Sequence, residues 1–169
     1  RPLLSGLMLG SLIIKPHLFL LLPLALIATR EHRPLVIAII TALLWCALST
    51  WVLGTASWQA FHDGILLARQ YLESGELQWS QMASAFSFSR WLGLDVTTSY
   101  ALHAGHFLLG TLALLAILRR KPPRELQWSS ALLASLMPSP FVYQYDLVLL
   151  TLPMLCLIQR ALTTGWPRW

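Results

Sequence analysis

The sequence predicts an all-α fold: a polytopic membrane bundle of about four to six helices, some short or broken, with an external amphipathic helical segment. Two observations carry this. Hydrophobic residues make up 56% of the 169-residue chain and charged residues only 11%. A soluble domain of that size could not bury so much apolar surface, whereas a bilayer removes the need. The apolar residues also fall into four blocks separated by charged or proline-rich stretches.

The first block, Leu3–Ala28, is long enough to span but is interrupted by Lys15-Pro16, so it reads as one broken span or as two shorter helices. Proline there is expected to remove an amide donor and free the carbonyl of Leu12. Gly6 and Gly10 form a small-xxx-small pair, which predicts close helix contact. Leu35–Gly54 and Tyr100–Leu118 are clean spans of about 20 residues, the length that ~30 Å of hydrocarbon requires. Trp128–Ile158 exceeds one untilted span and is cut by Met137-Pro138-Ser139-Pro140. It reads as a hairpin returning to Arg160, and its short rising arm leaves a partly re-entrant helix open. Residues 1–169 are expected to form a single membrane domain, cut from a longer membrane protein. Leu3–Ile14 is not a signal-peptide core, because no small-residue cleavage site follows it.

Residues 55–99 are expected to form external interfacial helices. Trp58, Phe61, Ile65, Ala68 and Leu72 recur at steps of three and four, with polar residues between them. That pattern marks an amphipathic helix lying in the interface plane, and Gly75 is placed to end it. A second short helix is expected over Trp79–Leu92, stopped by Gly93. Trp51, Trp58, Trp91 and Trp128 lie near the expected span ends, as an aromatic belt predicts.

The net charge of +5 does not indicate nucleic acid. Arg30 and Arg33 cluster after the first block, and Arg119, Arg120, Lys121 and Arg124 after Tyr100–Leu118, whereas the arginines of 55–99 are offset by Asp63, Glu73, Glu76 and Asp95. This is the positive-inside asymmetry, with the basic clusters cytoplasmic and 55–99 outside. Cys46 and Cys156 lie within apolar runs and read as small buried hydrophobes.

Lys15 is the sharpest candidate for chemistry. A lysine deep in an apolar run costs roughly 2.5–3.5 kcal/mol on insertion scales and needs a partner or a watery cavity. It could hold an anionic group such as a phosphate, or snorkel to an interface. Asp146 could contact sugar hydroxyls or act as a base near the outer end of the hairpin, or be the N-cap of the following helix. Arg90 could clamp a phosphate with its planar fork, although spacing alone favours a surface arginine. His103 and His106 share a helix face, a weak metal signal without a third ligand and more consistent with helix packing.

Taken in order, four stretches resemble glycosyltransferase family 87: Gly6–Gly10 leading through Lys15-Pro16-His17 to Leu20–Ala28, Trp79–Phe86 through Arg90–Leu94, Ser139–Leu147, and Gly165–Trp169. The resemblance implies the membrane-embedded C-type glycosyltransferase fold. It also implies transfer of a hexose, mannose first among them, from a polyprenyl-phosphate donor to a lipid or glycan acceptor on the outer side of a bacterial inner membrane, without a cofactor or metal. Substrate contacts are then expected at Lys15, His17, Arg90, Tyr145 and Asp146. The catalytic carboxylate of that fold is expected upstream, which would leave this stretch inactive alone. His17 and His103 stand where the family often has glutamine. The competing class is a transporter or flippase built around a broken-helix lysine.

Overall fold

The computed structural model describes residues 2–165, so Arg1 and the Trp166–Trp169 part of the fourth stretch lie outside the described residues. Among them the chain is helical throughout: α1 (Pro2–Ser11), α2 (Pro16–Phe19), α3 (Leu22–Ala28), α4 (His32–Leu53), α5 (Ala56–Ser74), α6 (Ala85–Trp91), α7 (Val96–Arg119), α8 (Arg124–Ser135) and α9 (Thr151–Thr164). A lone antiparallel bridge between Met82 and Tyr143 is the nearest approach to a sheet among the described residues.

The first apolar block resolves into two short limbs. Leu12–Ile14 tighten into a 3₁₀ turn, Lys15 leaves helical space at φ −117° and ψ 82°, and Pro16 opens α2. Proline is favoured at a first helical position, where its fixed φ fits and its missing N–H is not needed. The expectation that Pro16 frees the Leu12 carbonyl is therefore corrected, because the Lys15 amide donates to it at 2.9 Å. The helix stops before the proline and loses no interior bond.

α1 and α4 lie side by side and run in the same direction. A Cβ on Gly6 would meet Ile37 at 2.5 Å, and one on Gly10 would meet the Ala38 carbonyl oxygen at 2.5 Å. Trp45 Nε1 donates to Ser11 Oγ at 3.1 Å, extending the same register. The two glycines thus permit backbone-to-backbone approach, as small-xxx-small pairs do in membranes. α2 and α3 return beside them, and the α3–α4 turn joins the start of α8 through Arg124 Nη2 and Glu31 Oε1 at 2.6 Å. Arg30, Arg33 and Arg124 therefore mark one end of the bundle.

Three helical stretches are long and apolar enough to cross a membrane: His32–Leu53, Val96–Arg119 and Gln144–Thr164. Many of their large side chains face outward, including Leu43, Leu44, Trp51, Leu109 and Leu155. Exposed apolar faces of that extent fit lipid contact. The packed core is small and lies where α3, α7 and α8 meet, around Leu22, Ala25, Leu114, Leu118, Ala131 and Ala134. α8 has 12 residues, about 18 Å at 1.5 Å per residue, well short of ~30 Å of hydrocarbon. It is the short rising arm of a hairpin whose returning arm is the 3₁₀ segment Gln144–Leu150 followed by α9.

The other end carries α5 and α6. Trp58, Phe61 and Ile65 of α5 are exposed, whereas Leu72 is fully buried against Met82 and Phe86. Gly75 ends α5 at φ +86°, a left-handed position where glycine is unstrained. The single helix expected over Trp79–Leu92 is corrected to a 3₁₀ turn at Trp79–Gln81 and the separate helix α6. Two features break it: the Ala83 amide donates to the Val142 carbonyl at 2.7 Å, and Ser84 caps α6 by accepting from the Ser87 amide at 3.1 Å. Both require extended backbone at Met82–Ser84.

Candidate functional site

The turn between the two limbs of the first block sits at the far end of the bundle from the arginines. Ile14 and Pro16 line an apolar groove with Ser49 and Leu53 at the end of α4 and with Ser57, Trp58 and Phe61 at the start of α5. Lys15 is thus level with the C-terminal half of α4 rather than with Arg30.

There Lys15 Nζ donates to Asp146 Oδ1 at 2.6 Å. Asp146 is held by its own segment. Its amide donates to the Tyr143 carbonyl at 2.9 Å, and its Oδ2 accepts from the Tyr143 amide at 3.2 Å. The reading of Asp146 as an N-cap is corrected: Tyr143 holds that position and Asp146 reaches back to it from the first turn of the 3₁₀ segment. The side chain of Asp146 is 3% exposed and that of Lys15 44% exposed. The pair is therefore asymmetric, with a sequestered anion facing a cation that remains open to ligands.

Tyrosines complete the site. The Tyr145 ring lies 4.7 Å from Lys15 Nζ, within cation–π range, and stacks on Tyr143 at 5.6 Å. Tyr145 is 65% exposed, so much of its ring remains open to solvent. His17 lies one helical residue beyond Pro16, within electrostatic reach of both Lys15 and Asp146. Its Nε2 is buried and has no hydrogen-bond partner, a costly state for a polar atom and one a bound group could relieve.

Arg90 stands in a different cluster. It donates to the Leu94 carbonyl at 2.7 Å and to the Glu73 carbonyl at 3.2 Å, and its guanidinium lies 4.7 Å from the Trp79 ring. Glu73 also accepts from Arg69 Nε at 2.6 Å and from the Tyr100 hydroxyl at 3.0 Å. The Arg69 hydrogen bond holds the Glu73 carboxyl below its ordinary range. The Thr98 hydroxyl does the same for Asp95 at the start of α7. The structure thus brings together Lys15, His17, Tyr145 and Asp146 and sets Arg90 apart, in the packing between the end of α5 and α6.

His103 is buried and donates from Nε2 to the Pro138 carbonyl at 3.3 Å, tying α7 to the tip of the hairpin. Among the described residues, no three His, Cys, Asp or Glu side chains cluster as metal ligands. Tyr143, which both caps the 3₁₀ segment and stacks on Tyr145, was not singled out from sequence. The one available signal was its place two residues before Tyr145 in a proline-flanked run.

These features define a class: an integral membrane helix bundle with a cation, a buried carboxylate and exposed aromatic surface at one end. The chain belongs to glycosyltransferase family 87, whose family model matches residues 1–162, and is thereby a membrane glycosyltransferase. Comparison with curated proteins and with solved structures gave no significant match.

Proposed function

We propose that the enzyme transfers a hexose, mannose first among candidates, from a polyprenyl-phosphate sugar to a lipid or glycan acceptor. Transfer would take place at the outer face of a bacterial inner membrane. The observation that carries this reading is the Lys15–Asp146 pair at the end of the bundle opposite the arginines. The positive-inside pattern supports an extracytoplasmic assignment for that end. The donor tail lies along the apolar groove beside Ile14 and Pro16, and the donor phosphate faces the open side of Lys15. His17 Nε2 supplies a further hydrogen bond to phosphate or sugar. The exposed part of the Tyr145 ring gives the sugar an apolar surface.

In an inverting displacement, a base removes the proton of the acceptor hydroxyl as that oxygen attacks the anomeric carbon, and the sugar–phosphate bond breaks. Lys15 neutralises the charge that develops on the departing phosphate, a stabilisation strongest in a site shielded from water. Asp146 is not assigned as the base, because both its oxygens are engaged by Lys15 and the Tyr143 amide. Its role is to orient Lys15, and the base is a carboxylate elsewhere in the assembled enzyme. Arg90 holds the outer layer in place.

The test is sugar transfer from radiolabelled polyprenyl-phosphate mannose to membrane lipids by the full-length enzyme. Lys15→Ala is expected to lower kcat/KM by about 100-fold or more, in line with loss of a charge-stabilising group. Arg90→Lys is expected to act through stability with little change in KM. Unaltered donor affinity and turnover in Lys15→Ala would falsify the phosphate assignment.

A further inference from the structure

We propose that the cavity at the arginine end of the bundle binds the phosphate of an anionic phospholipid headgroup, a site separate from the Lys15 turn. The cavity has a volume of about 590 Å³ and is bordered by Arg30, Glu31, His32, Arg33, Arg124 and Trp128. Three arginines and one carboxylate border it. Arg124 pairs with Glu31 at 2.6 Å, which leaves Arg30 and Arg33 without an ion pair among the described residues.

The backbone adds to this field. Three helices begin at the cavity: α1, through Ser5, α4, through His32 and Arg33, and α8, through Arg124. Their positive dipole ends and first-turn amides favour an anion at that point. Neither α4 nor α8 has a side-chain cap at its N-terminus, since Glu31 makes no capping bond and Pro123 has no group to make one. Arg30 moreover sits at φ +59°, in the left-handed region where an unbranched glycine would be unstrained. The chain holds an arginine there in spite of its backbone preference.

Inorganic phosphate and a lipid phosphodiester share the chemistry that arginines recognise. The position favours the lipid. The cavity lies at the ends of apolar spanning helices, with the indole of Trp128 on its border, where headgroups sit and basic pockets between helices collect anionic lipids.

The experiment uses the purified full-length enzyme in detergent micelles, titrated with phosphatidylglycerol, phosphatidylcholine or inorganic phosphate, and read by native mass spectrometry and by the lipid-induced shift in Tm. Saturable phosphatidylglycerol binding is expected, weakened about 10-fold or more in Arg30→Gln/Arg33→Gln. Arg119→Gln/Arg120→Gln removes the same charge outside the cavity and is expected to leave binding unchanged. Equal losses in the two double variants would overturn the proposal, since they would reveal a diffuse basic face rather than a site. Phosphatidylcholine or inorganic phosphate binding as tightly as phosphatidylglycerol would overturn it equally. If the first double variant does not purify, Arg33→Gln alone, on the exposed first turn of α4, carries the same test.

Discussion

At the residue scale, the Lys15–Asp146 pair makes an asymmetric prediction. Asp146→Asn leaves behind a lysine that is 44% exposed and can be rehydrated, and the amide oxygen can still accept from the Tyr143 N–H. Its cost is expected to be about 1 kcal/mol, that of one hydrogen bond. Lys15→Ala leaves behind a carboxylate that is 3% exposed, with no cation. Breaking a buried pair costs ~3–5 kcal/mol; here solvent access to Lys15 and the remaining Tyr143 bond reduce this to about 2 kcal/mol. Thermal unfolding of the purified variants checks the order, and a larger loss in Asp146→Asn would contradict it. Lys15 and Asp146 each stood out in the sequence, one by its burial cost and the other by its place after the proline break. Their pairing did not, because 131 positions separate them and only the folded hairpin brings them together. In the sequence Arg90 is a candidate phosphate clamp by its planar fork, although its spacing alone favours a surface arginine. Its carbonyl partners, however, are set by the turn after α6 and by the end of α5, which charge patterning cannot reveal.

At the element scale, the contact between α1 and α4 depends on absent side chains. A methyl at Gly10 would press on the Ala38 carbonyl oxygen and Thr41 Cβ, both at 2.5 Å, and a carbonyl within a helix cannot turn aside. Gly10→Ala is expected to cost about 1–3 kcal/mol by overpacking, whereas Gly64→Ala, which meets nothing within 4 Å, is expected to be neutral or stabilising. Melting curves of the two variants discriminate. This contact was legible from the four-residue spacing of Gly6 and Gly10, and the spans His32–Leu53 and Val96–Arg119 from unbroken apolarity. The split of Trp79–Leu92 was not legible. It depends on a bond from Ala83 to Val142, a residue in another apolar block, and a helical period inside one window carries no trace of it.

At the scale of the whole molecule, charge is segregated by end, and the outer layer is stabilised by its own ion pair. Glu73 is depressed by the Arg69 hydrogen bond, so its folded pKa lies below its unfolded value near 4.3. A carboxyl lowered in this way contributes stability above the unfolded value, and the contribution is lost as pH falls through the folded value. The outer helices are therefore expected to loosen on acidification below about pH 4, first seen as increased proteolysis between Ala56 and Trp91. Glu73→Gln, which cannot titrate, is expected to be weaker at neutral pH and to lose this acid dependence; an unchanged acid response would remove Glu73 as its origin.

The clasp between Met82–Ala83 and Val142–Tyr143 has a mechanical consequence. Tyr143 is at once the residue bridged to the outer layer and the residue whose amide Asp146 grips. A displacement of the outer helices is therefore expected to reach Lys15 by way of Tyr143 and the Asp146 carboxylate. The outer helices and the charged turn are thus joined at Tyr143, and strain applied to one is expected to be felt at the other.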